Sequence, residues 1–217
     1  MQLKNKKFLF LGDSITEGHG TSGEAYTFWG VLGRQTGAIC RGYGIGGTRI
    51  ARQLHPDGGN WDRYFLSRVP EMEPEADGIV VFGGTNDYGH GDAPLGVFTD
   101  RTDDTFYGAM HNLCRALIEK YPEAVIVICT PTHRYRAGEN PFVNERGLRR
   151  EPMEKYIAAE REVAAYYSLP VCDLWNISGI APEIEAQRTR YMPDGLHPND
   201  AGHARIAARL RGFLEAL

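Results

Sequence analysis

A serine, a histidine and an aspartate can together cleave an acyl bond, provided that the fold brings them into line. Ser14 follows Phe8-Leu9-Phe10-Leu11-Gly12-Asp13. Four consecutive apolar residues without a helical period suit a strand buried on both faces of a parallel sheet, and Gly12 lets the backbone turn sharply after it. A serine at that junction has its hydroxyl exposed and held by the sheet, as a nucleophile requires. The hydroxyl is a weak nucleophile until an imidazole takes its proton, and a carboxylate keeps that imidazole in its useful tautomer. Asp194-Gly195-Leu196-His197 can supply orienter and base from one turn. The tetrahedral intermediate then needs donors aimed at its oxyanion, for which Ser14 N–H, Gly47 N–H and the Asn86 side-chain amide are the candidates.

Each piece also has a purely structural explanation. Asp13 or Ser14 can cap the next segment. Gly46 and Gly47 can serve a tight turn, and Asn86-Asp87 is ordinary turn chemistry. His197, before Pro198, can be a surface or capping histidine. Their occurrence together, in this order, favours acyl transfer over four separate coincidences.

The elements that must position these residues alternate between two periods. Continuous apolar runs predict strands at 8–11, 78–82 and 124–129, and shorter strands are expected at 38–43 and 169–172. Helical spacing predicts helices over 26–35, within 61–69, and over 104–121, 153–167 and 201–217, the last capped by Asn199 or Asp200. Residues 88–103 and 133–150 are expected to be polar loops, and 177–191 irregular or partly helical. Five parallel strands separated by helices specify a doubly wound, three-layer α/β/α sandwich, a single domain spanning 1–217. Parallel strands share a direction, so Gly12-Asp13-Ser14, Gly46-Gly47-Thr48 and Gly84-Thr85-Asn86-Asp87 should share one edge of the sheet, with the Asp194 loop within reach.

Composition narrows the classes. The chain has 217 residues, 42% hydrophobic and 24% charged, with a net charge of −4. That balance gives no electrostatic reason to expect nucleic acid or an anionic membrane. No apolar run approaches the ~20 residues of a membrane span, and the basic start before residues 8–11 has too short an apolar stretch for a signal peptide. A cytoplasmic protein is expected. Cys40, Cys114, Cys129 and Cys172 include no Cys-x-x-Cys pair, and the histidine spacings match no common ligand pattern, so no metal site is assigned.

On these four blocks the chain resembles the SGNH hydrolases of the GDSL esterase/lipase group, over nearly its whole length. The resemblance of Gly12-Asp13-Ser14-Ile15 implies Ser14 as nucleophile. Gly44-Ile45-Gly46-Gly47-Thr48 implies Gly47 as an oxyanion donor, and Gly84-Thr85-Asn86-Asp87 implies Asn86 as another. Asp194-Gly195-Leu196-His197 implies Asp194 as orienter and His197 as base. Ile15 replaces the usual leucine. Gly42 stands where many members carry asparagine, which leaves the choice between Gly46 and Gly47 open. The family implies a flavodoxin-like fold and two-step ester hydrolysis through an acyl-enzyme, without metal or organic cofactor.

The substrate expectation comes from the loops assigned to the site, 17–24, 88–103 and 133–150. They are polar and glycine-rich, without the clustered Leu, Val and Phe of a long acyl groove. A short, acetyl-type acyl group on a carbohydrate or other small polar alcohol follows. The alternatives are a lysophospholipase or thioesterase acting on longer chains, and a non-catalytic flavodoxin-like ligand-binding module. The arginines of 133–150 are expected to be balanced by Glu139, Glu145 and Glu151, and Trp61, Tyr88 and Tyr135 to serve packing or the surface rather than sugar stacking. The expected partner is a small-molecule ester; homo-oligomerisation stays open.

Overall fold

An uninterrupted apolar strand sends alternate side chains to opposite sides of its sheet, so both sides must be covered. The computed structural model describes all 217 residues and meets this demand with five parallel strands. They are β1 (Lys7–Gly12), β2 (Ile39–Gly44), β3 (Gly78–Phe82), β4 (Val125–Cys129) and β5 (Val171–Cys172), in the order β2-β1-β3-β4-β5. Nine helices join them: α1 (Ser14–Glu17), α2 (Phe28–Thr36), α3 (Phe65–Arg68), α4 (Thr85–His90), α5 (Phe106–Lys120), α6 (Met153–Tyr166), α7 (Leu174–Ile177), α8 (Glu185–Tyr191) and α9 (Asp200–Ala216).

The strand alternation sorts the core into two layers. Leu9, Leu11, Ile79, Val81, Ile126 and Ile128 pack on one face with residues of α3, α5 and α6. Phe8, Phe10, Val80, Phe82 and Val127 pack on the other with residues of α2 and α9. The result is the expected three-layer sandwich. The chain moves outward from β1 to β2, then crosses back to β3, so the strand order reverses between β1 and β3. Open α/β sheets form their ligand crevice beyond the strand C-termini at such a point.

The ends of the longer elements carry their sequence signals. Thr27, Thr105 and Asn199 accept hydrogen bonds from Gly30, Gly108 and Gly202 N–H at the starts of α2, α5 and α9, and Gly37 ends α2 at φ 74°. Two expectations change. The stretch expected to be loop from residue 88 begins inside α4, because Gly84 at φ 95° turns the chain from β3 directly into a helix. The helix expected within 61–69 is broken into a 3₁₀ turn at Asn60–Asp62, the short α3 and a second 3₁₀ turn at Val69–Glu71, with Pro70 inside it. No helix is long and apolar enough to cross a membrane.

Candidate active site

Ser14 is the first residue of α1, immediately beyond the end of β1. The turn is very close. A Cβ on Gly12 would lie 2.8 Å from the Phe82 carbonyl and closer still to Thr16, so only glycine fits. Asp13 caps α1, its Oδ1 accepting from Ile15 N–H at 2.9 Å. Burial pushes the Asp13 carboxyl up to about 7, against the opposing pull of Ile15 N–H and the Arg68 guanidinium.

Asp194 builds the turn that carries His197. Its Oδ1 accepts from Leu196 N–H at 2.9 Å and His197 N–H at 2.7 Å, while Oδ2 lies 2.7 Å from His197 Nδ1. Burial alone would raise this carboxyl. The His197 and Leu196 backbone donors and the His197 ring outweigh it and hold Asp194 below the usual carboxylate range. An ionised carboxylate only accepts, so His197 Nδ1 carries a proton, and in the neutral ring Nε2 is then the acceptor. Nε2 lies 3.0 Å from Ser14 Oγ. Tyr135 N–H donates to the Gly195 carbonyl at 2.8 Å, tying the turn to the loop beyond β4. The His19 ring lies against His197, centroids 4.8 Å apart.

The third part of the site comes from the ends of β2 and β3. Asp87 accepts from Ile50 N–H at 3.0 Å and Ala51 N–H at 2.9 Å, and Asn86 Nδ2 donates to the Thr48 carbonyl at 3.0 Å. These bonds clamp the loop after β2 onto the start of α4. The N–H groups of Ser14, Gly46 and Gly47 bond no other backbone group. A Cβ added at Gly46 would sit 3.7 Å from Ser14 Cβ. Gly47 adopts φ 74° with Trp61 packed against it.

Ser14, Gly47, Asn86 and His197 therefore line one cleft of about 510 Å³, with Asp194 behind His197. Such a line can shift a proton from hydroxyl to imidazole while free donors wait for negative charge. Of the three loops assigned to the site, 17–24 contributes His19, 88–103 contributes His90, and 133–150 contributes Arg134, Glu145 and Arg146. A fourth wall, of which the sequence reading weighed only Trp61, was otherwise missed. Arg49, His55, Asp57, Trp61 and Asp62 come from the segment between β2 and α3. Its two aspartates were the available signal: Asp62 accepts from Asp57 and Gly58 N–H, and Asp57 from Trp61 Nε1, folding the segment over the site. Tyr88 is buried, with the Arg150 guanidinium 3.4 Å from its ring centroid. Arg134 and Arg150 pair with Glu139, and Arg134 also with Glu145, so this part of the arginine-rich loop is internally balanced.

Comparison with known proteins agrees with this architecture. The model of the GDSL-like lipase/acylhydrolase family matches residues 10–205. The chain is 24% identical to the GDSL lipase Rv0518 of Mycobacterium tuberculosis over 210 residues, covering 92% of this chain and 78% of that protein. A crystal structure of a protein from Lactobacillus plantarum is similar at 31% identity and TM-score 0.83, covering 98% of both chains. An acetyl xylan esterase shares the fold at 19% identity and TM-score 0.67, over 96% of this chain and 99% of that one. With its family match running from β1 into α9, the chain belongs to the GDSL-like lipase/acylhydrolase family of SGNH hydrolases.

Proposed function

We propose that this protein is a serine esterase that removes short, acetyl-type acyl groups from a carbohydrate or another small polar alcohol. One observation carries the reading: Ser14 Oγ, His197 Nε2, His197 Nδ1 and Asp194 Oδ2 stand in sequence at 3.0 and 2.7 Å. In the proposed reaction Ser14 Oγ attacks the ester carbonyl as His197 Nε2 takes its proton, and Asp194 stabilises the imidazolium. The oxyanion is held by Ser14 N–H, Gly47 N–H and the second N–H of Asn86 Nδ2. His197 then protonates the departing alcohol. Water, activated by the same imidazole, releases the acid and restores Ser14.

The substrate class is supported by the walls of the cleft. Sixteen residues line it and only two, Trp61 and Leu196, are apolar, which offers little to a long acyl chain. Its fixed charges are largely paired within the protein, Arg49 with Asp62 and Arg134 with Glu145, which suits a neutral polar alcohol. Trp61 presents a half-exposed ring at the wall, anchored by its Nε1 on Asp57, a surface of the kind that sugar rings meet. A fold shared with an acetyl xylan esterase agrees with that class.

The test compares hydrolysis of p-nitrophenyl acetate and p-nitrophenyl decanoate by the wild type and Ser14→Ala. Acetate turnover that exceeds decanoate turnover and vanishes in the variant is expected. A preference for decanoate would move the substrate to lipids or thioesters. Absence of turnover on both would favour a ligand-binding module.

A further inference from the structure

The side chain of Asn86 is held by a chain of bonds whose direction is imposed from both ends. Arg49 is buried, 3% exposed, and its Nη1 lies 2.9 Å from His90 Nδ1 while Nη2 donates to Asp62 Oδ1 at 2.9 Å. A guanidinium has only N–H groups to offer, so His90 Nδ1 must accept. A neutral imidazole with Nδ1 unprotonated carries its proton on Nε2, and Nε2 lies 3.2 Å from Asn86 Oδ1. At the other end a backbone carbonyl can only accept, so the Asn86 amide nitrogen faces Thr48 and its oxygen faces His90. Burial first, then the neighbouring Arg49 charge, holds the His90 imidazole down to about 4, so the ring is neutral at neutral pH.

The chain therefore runs Asp62, Arg49, His90, Asn86, Thr48. Because Thr48 and Arg49 are consecutive, it closes on itself through the backbone of the loop after β2. Asn86 and His90 lie one turn apart at either end of α4, which sets their spacing. One N–H of Asn86 Nδ2 is thereby committed to Thr48, and the second is fixed in direction beside the cleft that Ser14 lines. A hydrogen bond received at Oδ1 also polarises the amide, making its remaining N–H a stronger donor.

We infer that His90, locked in its Nε2–H tautomer by Arg49, is a positioning residue that aims and polarises the Asn86 amide. The consequence for catalysis rests on the esterase reading above; the tautomer does not. His90→Ala is expected to lower kcat on p-nitrophenyl acetate about tenfold with KM changed less than twofold, a loss confined to the transition state. His90→Gln, which keeps a donor near Nε2, is expected to recover most of it. In an Asn86→Ala background the same His90→Ala change should alter kcat less than twofold, because its target is gone. The full tenfold loss in that background, or less than a twofold loss in the wild-type background, would overturn the inference. Long-range ¹H–¹⁵N NMR of the histidine rings gives a readout independent of turnover. His90 should carry its proton on Nε2 alone, and a proton on Nδ1 would equally overturn the inference. Should Ser14→Ala retain wild-type turnover, the esterase reading falls, and the NMR result decides the His90 arrangement separately.

Discussion

Asp13 sits beside the serine yet makes its own demand on the protein. Its carboxyl is buried and held up to about 7, well above its ordinary value, so the folded state keeps a proton that the unfolded chain releases near pH 4. Stability from this group is therefore full at low pH and is lost as pH rises through about 7. Asp13→Asn keeps an acceptor for Ile15 N–H and removes the titration. Urea unfolding at pH 5 and pH 8 should show wild type losing about 2–3 kcal/mol more than the variant over that interval, and equal losses would count against it. At this scale legibility followed locality. Asp194-x-x-His197 was legible because its bonds close within one turn, and Ser14 because it follows an unmistakable strand. Arg49 and His90 were not, because their partners are brought together only by packing the loop after β2 onto α4.

The elements owe their arrangement to a few buried carboxylates as much as to apolar faces. Asp87 takes both Ile50 and Ala51 N–H and so fastens the loop after β2 to α4. Asp87→Ala would leave two donors without their acceptor. It is expected to lower unfolding stability by about 2–4 kcal/mol in chemical denaturation and to reduce turnover, since Thr48, the partner of Asn86, lies on that loop. Stability within about 0.5 kcal/mol of wild type would contradict the clamp. β1, β3 and β4 were legible to within a few residues because each carries an apolar run bounded by glycines, prolines or polar residues. β5 is only two residues long, since its ladder is limited to Val171 and Cys172 beside Ile128 and Cys129. α4 was missed because its six residues look like turn chemistry, and a left-handed Gly84 rather than helical periodicity starts it. The wall between β2 and α3 has no regular period, and side-chain acceptors hold it instead.

Across the whole molecule, the strand order decides where chemistry can occur. β1 and β3 are neighbours in the sheet, and their departing turns carry Ser14 and Asn86 to the crevice where the order reverses. The α8–α9 turn brings His197 to the same place from the far end of the chain, 183 residues away from Ser14. The two apolar layers were predictable from the alternation within each strand, whereas the closing of the cleft by the loop after β2 depends on side-chain contacts that no periodicity records. The most direct test of the proposed nucleophile is covalent. The protein would be treated with a fluorophosphonate, its intact mass measured, and the modified peptide sequenced by mass spectrometry, with Ser14→Ala treated in parallel. The account predicts one adduct per chain, located on Ser14, absent from the variant and formed in step with loss of esterase activity. An adduct on another residue, or a variant that is still labelled and still turns over ester at the wild-type rate, would contradict it.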